Sequence, residues 1–204
     1  MRVLVACEYS GRVRDAFTRM GHDATSCDIL PSDMPGKHYQ GDVFDILHDD
    51  WDLMVAHPPC TYLSNSGVTW LHRQADRMAK MIEGAKFFKA LLDAPIPLKA
   101  IENPIMHKYA VEVIGRRQDQ VIQPYMFGHL EQKATCLWLE GLPLLVPTTD
   151  LKAETLALPD SERQRIHYMP PGKDRQKMRS LTFQGIADAM AKQWSDSVSE
   201  SRTP

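Results

Sequence analysis

Four short strand-like stretches limit what this chain can fold into: the mainly apolar residues 2–6 (Arg-Val-Leu-Val-Ala), 52–56 (Asp-Leu-Met-Val-Ala) and 98–101 (Leu-Lys-Ala-Ile), and the mixed residues 24–27 (Ala-Thr-Ser-Cys). Each has the length of a strand buried on both faces, as in a parallel sheet, where hydrophobic residues run on instead of alternating. Helical patterning separates them. A polar turn at Gly11 leads into a helix-compatible stretch to about Met20. Leu71, Ala75, Met78, Ile82, Ala85 and Phe88 form one stripe at steps of three and four that ends before Pro95 and Pro97. Strands alternating with helices predict an α/β fold with crossover connections. Residues 134–139 read as a further strand and 183–194 as a closing amphipathic helix. Residues 141–172, rich in Pro and weakly periodic, read as an irregular excursion. The polar stretch 195–204 reads as a disordered tail.

At 204 residues the chain can bury one substantial core, so a single domain over 1–194 is expected. Cys7, Cys27, Cys60 and Cys136 form no Cys-x-x-Cys pair and have no adjacent His, so no metal site is expected and a reduced compartment suits them. The N-terminal apolar run ends at Glu8 and Ser10, too soon for a signal peptide or a span, which predicts a cytoplasmic protein with no membrane partner. The formal net charge of −2 conceals an asymmetry: Arg163, Arg165, Lys173, Arg175, Lys177 and Arg179 face only Asp174 between 163 and 179. That run is either a solvated loop or a phosphate-contacting strip.

Ligands of open α/β sheets bind at the carboxyl ends of the strands. There this sequence carries Cys7-Glu-Tyr-Ser-Gly, Asp28, His57-Pro-Pro-Cys60 and Glu102-Asn-Pro. Asp28 lies seventeen residues beyond Gly11, near the spacing at which an acid grips a ribose hydroxyl. Cys60 follows two prolines whose fixed φ stiffens the turn, which suits a nucleophile, although most free cysteines are inert packing residues. Glu102 is placed to serve that nucleophile across the crevice, or only to cap a following helix. His57 beside prolines reads as structural more readily than as a ligand contact. Trp51, Trp70 and Trp138 read as packing residues, and Tyr62 as a base-stacking candidate.

In order and spacing these segments resemble the DNA cytosine-5 methyltransferase family, over most of residues 1–140 and again near 180–194. The Pro-Cys segment through Ser64 and Gly67 resembles its nucleophile motif, Ile101-Glu-Asn-Pro its Glu-Asn motif, and Gly41-Asp-Val its third motif. Phe127-Gly-His-Leu-Glu-Gln-Lys resembles the segment that sets basic residues beside the target base. The resemblance implies a Rossmann-like S-adenosylmethionine-dependent methyltransferase fold, a mostly parallel sheet with helices on both faces. It implies Cys60, Glu102 and Lys133 as catalytic residues. Cys7, Glu8, Tyr9, Ser10, Gly11, Asp28, Asp42 and Pro58 are implied to bind the cofactor, S-adenosylmethionine. DNA is the implied partner, met by Ser64, Arg163, Arg165, Lys173, Arg175, Lys177 and Arg179, with a flipped or single-stranded base. A short pattern of this kind implies a phage or prophage gene expressed in a bacterial host.

The sequence also departs from the family. The first motif retains only Gly11, Thr61 stands in place of Gln, Thr135 replaces one basic residue, and the excursion is too short for a target-recognition domain. Low sequence specificity, or a separate specificity partner, is expected. Amino-methyltransferases of adenine also carry Pro-Pro after the fourth strand, but with an aromatic residue where Cys60 stands. Methylation of RNA or of a free pyrimidine nucleotide, and an inactive nucleic-acid-binding relative, are the other readings.

Overall fold

A computed structural model describes residues 1–172 and 175–201. Its centre is a seven-stranded sheet of β1 (Arg2–Ala6), β2 (Asp23–Asp28), β3 (His38–Gln40), β4 (Leu53–Ala56), β5 (Leu98–Pro104), β6 (Gln120–Ile122) and β7 (Thr135–Glu140). The spatial order is β3-β2-β1-β4-β5-β7-β6, and β7 alone runs against the others. This is the doubly wound order with one antiparallel strand inserted before the last, the Rossmann-like methyltransferase arrangement. The expected fold class is therefore the one present.

Helices cover both faces. Strand residues Leu4, Ala6, Met54, Ala56 and Ile101 share a core with Met81, Ala85, Phe88 and Leu91 of α2 (Arg77–Leu92) and with Ala110 and Ile114 of α3 (Lys108–Ile114). Their neighbours in sequence, Val3, Val5, Leu53, Val55 and Ala100, point the other way. They pack on Val13, Ala16 and Phe17 of α1 (Arg12–Arg19) and on Ile186, Ala187, Met190 and Trp194 of the closing helix. Trp51 and Trp138 are buried as expected; Trp70 is 48% exposed, beneath the Arg73 guanidinium.

Three other expectations are revised. The stripe from Leu71 becomes regular helix only at Arg77, because residues 61–76 carry the chain away from Cys60 through turns: Leu63 and Ser64 N–H donate to Cys60 O, and Asn65 N–H to Ile105 O. The excursion holds three short helices, α4 (Lys152–Ala157), α5 (Asp160–Arg163) and α6 (Arg165–Tyr168), followed by α7 (Arg175–Ser180). The polar stretch from Ser195 continues the closing helix, α8 (Gln184–Ser201), instead of leaving it. Lys192 pairs with Asp196 at 3.0 Å, the Ser197 and Ser199 hydroxyls bond back to carbonyls within the helix, and Ser195 meets the His22 ring at 2.6 Å. Among the described residues no helix is long and apolar enough to cross a membrane.

Candidate active site

Strand register builds the site. Ala6 pairs with both Cys27 and Ala56, and Ala56 with Ile101, so one residue further on Asp28, Cys7, His57 and Glu102 stand in a row along the rim. Their predecessors face α2 and α3, so this row turns towards the face covered by α1 and α8. Cys7 holds φ of 57°, a left-handed conformation uncommon outside glycine, as the chain leaves β1.

His57 Nδ1 lies 3.1 Å from Glu102 Oε2, with both side chains largely buried. Burial opposes the charge on Glu102, but the His57 hydrogen bond and charge, with Lys133, outweigh it and hold the carboxyl below the usual carboxylate range. An ionised Glu102 needs a donor, so Nδ1 carries the proton of that bond. Nε2 is buried and has no partner among the described residues. Asn103, 1% exposed, donates from Nδ2 to Pro58 O at 2.9 Å and so ties the Pro58-Pro59 turn to β5. His107 fastens the far side of the loop: its backbone N–H donates to Leu63 O, and its ring meets Tyr62 O at 3.0 Å. His107 also caps α3, which frees Glu102 from that duty.

Cys60 is partly exposed at the end of this clamped turn. Burial and the Glu102 charge push its thiol up, while Lys133 and Arg179 pull it down. The other three thiols gain no cation. Burial and neighbouring acids raise Cys7, and push Cys27 up to about 12; burial and Glu102 push Cys136 up to about 11. Among the four, Cys60 is the thiol whose upward shift is opposed by cations. Lys133, expected beside it, donates to Arg179 O at 2.9 Å and influences both Cys60 and Glu102.

The residues expected at the cofactor divide into three groups. Gly41 N–H donates to Asp28 O, bringing Asp28 and Asp42 together. Asp28 Oδ1 accepts from Leu30 N–H at 2.9 Å, and Asp42 caps the next turn by accepting from Phe44 N–H. Glu8 turns its carboxylate towards α1, where it accepts from Val13 and Arg14 N–H at 2.8 and 3.2 Å and so caps the helix while still lining the space at the rim. Ser10 adds its hydroxyl to the same cap, and Gly11 supplies the φ of 74° at which the helix starts. Tyr9 is engaged by a strap of residues 175–183. Its hydroxyl meets Ser180 Oγ at 2.9 Å, and Lys177 lies over its ring and pairs with Asp33. The space enclosed by Cys7, Tyr9, His57, Ser180 and Thr182 is only about 40 Å³, room for two or three waters.

The rim therefore offers S-adenosylmethionine the carboxylates of Asp28 and Asp42 as acceptors and, at His57 Nε2, a buried ring nitrogen with no partner among the described residues.

The residues expected to meet nucleic acid do not form one open strip. Ser64 is 9% exposed and bonds Ser66. Arg163 pairs with Asp160, and Arg165 pairs at 2.7 Å with the fully buried Glu131. Arg175, Lys177 and Arg179 lie on the strap; Lys173 falls outside the described residues. Sequence reasoning undervalued His57 and passed over Asn103 and His107. The pairing of His57 with Glu102 was within reach, because adjacent strands that end together set their next residues side by side.

No protein-family model matches this chain, and neither does any curated protein. Solved structures do match, among them two of WbdD. One is described as the bifunctional kinase-methyltransferase, at 10% identity and a TM-score of 0.40 over 72% of this chain and 36% of that one. The other is its co-crystal with the kinase inhibitor LY294002, at 9% identity and a TM-score of 0.38 over 72% and 37%. This chain spans little more than a third of the length of those proteins.

Proposed function

We propose that the chain is a methyltransferase that moves a methyl group from S-adenosylmethionine to carbon 5 of cytosine in DNA, with Cys60 as covalent nucleophile. The observation that carries this reading is a thiol on a clamped turn, tuned by an ionised carboxylate and two cations at the open rim of the sheet.

The thiol is protonated at neutral pH, so it must lose its proton before it adds to the ring. Glu102, ionised and near enough to act on the thiol, can take that proton and pass it to ring nitrogen 3 as the sulfur bonds carbon 6. Carbon 5 then gains the electron density to be methylated; the cofactor supplies the methyl group. Loss of the carbon 5 proton to a base and expulsion of the Cys60 thiolate restore the ring, while Glu102 takes the proton back from nitrogen 3 and returns it to the sulfur. His57 holds Glu102 in place through Nδ1, and Lys133 stabilises the negative charge near both groups. Asp28, Asp42 and His57 are the residues that would hold the cofactor.

A single-stranded oligonucleotide carrying 5-fluorocytosine tests this, because fluorine blocks the final proton loss. With cofactor present the parent should form a covalent adduct and Cys60→Ser should not; a parent that neither traps the base nor binds cofactor refutes the proposal. One observation favours a smaller substrate, a free pyrimidine nucleotide: Arg163, Arg165 and Lys177 are engaged in ion pairs instead of forming an open phosphate track. Labelled cofactor offered with DNA, RNA and deoxycytidine monophosphate separates these readings. Low sequence specificity is part of the proposal, and methylation of one long motif on plasmid DNA would contradict it.

A further inference from the structure

Beside the strap lies a second cavity of about 330 Å³ that the account above does not use. It opens between the start of α1, the segment leading into β7, α6 and residues 178–184, within the size range of small-molecule sites. Arg12, His129, Lys133 and Arg165 line it, with Phe183 and Met178 as apolar wall.

Its polar equipment consists mainly of donors. Arg12 gives Nη1 to Thr182 O at 2.8 Å, Lys133 gives Nζ to Arg179 O, and Arg165 gives Nε to Glu131. These are single bonds from groups that own three or five N–H donors. His129 Nε2 accepts from Gly185 N–H at 3.0 Å, so a neutral ring keeps its proton on Nδ1, as a further donor. Burial, then Arg12 and Arg165, hold that ring below the usual histidine range and keep it neutral. Three cations against the one carboxylate of Glu131 leave two positive charges, the complement of a phosphate monoester. Glu131 is fully buried and taken by Arg165 and Ile166 N–H, while Asp188, the acid acting on His129, is held by Arg19 at 2.6 Å. Lys133 also acts electrostatically on Cys60 and Glu102, so one side chain belongs both to the cavity and to the field of the nucleophile.

We propose that this cavity binds the phosphate of the nucleotide whose base meets Cys60, with Arg12, Lys133 and Arg165 facing the phosphate oxygens and Phe183 walling the sugar. The inference rests on the pyrimidine-methylation reading and names how that substrate is held.

Calorimetry on full-length Cys60→Ser, which cannot form the adduct, tests it with deoxycytidine, deoxycytidine monophosphate and a single-stranded oligonucleotide containing one cytosine. The monophosphate or the oligonucleotide should bind at least tenfold more tightly than the nucleoside. Arg12→Gln, which keeps an N–H for Thr182 O, should remove about tenfold of that affinity and leave nucleoside binding unchanged. The double change Arg165→Gln with Glu131→Gln removes a cation without stranding a buried carboxylate, and should act alike. A preference confined to the monophosphate identifies a free nucleotide as the source, and one confined to the oligonucleotide identifies an internal diester. Should a variant fail to fold, the melting temperature of the parent decides: inorganic phosphate should raise it more than chloride at equal ionic strength.

Equal binding of nucleoside, monophosphate and oligonucleotide, affinities untouched by both variants, or no phosphate effect on melting overturns the proposal. Trapping of 5-fluorocytosine by the parent is read separately. Failure there with the phosphate effect intact refutes the reaction and leaves the anion site standing.

Discussion

Replacing Glu102 with Gln should move two properties of Cys60 in opposite directions. The carboxylate raises the thiol because its negative charge opposes that of the thiolate. Two like charges about 5 Å apart at an effective dielectric of about 20 oppose one another by about 3 kcal/mol, an upper bound that the cations near the pair reduce. Removing the carboxylate charge should therefore raise the thiolate fraction, and with it the rate of iodoacetamide alkylation at neutral pH, by less than the roughly hundredfold that this bound allows. The amide of E102Q offers no group to take the thiol proton and pass it to ring nitrogen 3, so trapping of 5-fluorocytosine should fall by about 10²–10⁴. The two rates are measured on one preparation by intact mass. If alkylation is unchanged or slower in E102Q, Glu102 does not face the thiol and the proton relay is wrong. If both rates rise, Glu102 is an electrostatic neighbour and not a participant.

Other outcomes follow from the same structure. Asn103→Ala removes the bond to Pro58 O but also an unpartnered buried oxygen, so it should cost only about 1 kcal/mol. Its trapping rate should nevertheless fall by about tenfold or more, because the turn that aims Cys60 loses its tie to β5; equal losses of stability and trapping would refute that positioning role. Arg14, 1% exposed, bonds Asp15, Ser26, Ser32 and the carbonyls of Met34 and Pro35 beneath the loop after Asp28. Arg14→Met should cost about 3 kcal/mol, a fall in Tm of about 6–12 °C by calorimetry, since the freed carbonyls return to water. Glu102 is held below its ordinary value of 4.5, so the stability it contributes is fully present above that pH and is lost as pH falls through the folded-state value. Urea midpoints of parent and E102Q should differ by a constant amount above about pH 5 and converge as the pH falls below the ordinary value of 4.5; a constant gap throughout would mean that the ion pair contributes nothing.

The strands that carry chemistry were legible because burial on both faces leaves mainly apolar runs, and Cys7, His57 and Glu102 each follow or end one, while Asp28 follows the mixed stretch 24–27. β3 and β6 were not, at three residues each with only Ile122 of the six buried. α8 outran its apolar stripe because serine hydroxyls bonding back to the helix and the Lys192–Asp196 pair leave no periodic trace in hydrophobicity. Glu8 carries a duty that the motif alone does not show: its carboxylate accepts from Val13 and Arg14 N–H and caps α1 while lining the space at the rim.

What no local pattern could reveal is the partnership between the ends of the chain. Tyr9, Arg12, Asp33 and Lys133 all meet residues 177–182, at separations of 46 to 171 positions, and those contacts turn a basic run into a strap. Read along the sequence, the run looked like a track for an extended phosphate backbone. Folded, Arg163, Arg165 and Lys177 pair with Asp160, Glu131 and Asp33, and Arg165 also lines a cavity with Arg12 and Lys133 from elsewhere in the chain. A track and a pocket have the same composition but different salt behaviour. A backbone track that neutralises several phosphates should lose affinity with a log–log salt slope of about −0.7 per phosphate contact, whereas a pocket holding one phosphate should keep a slope of about −0.7 in all however long the oligonucleotide. Binding of oligonucleotides of increasing length to Cys60→Ser across a salt series decides between them: a slope that steepens with length restores the track and removes the reason to assign the cavity to one nucleotide.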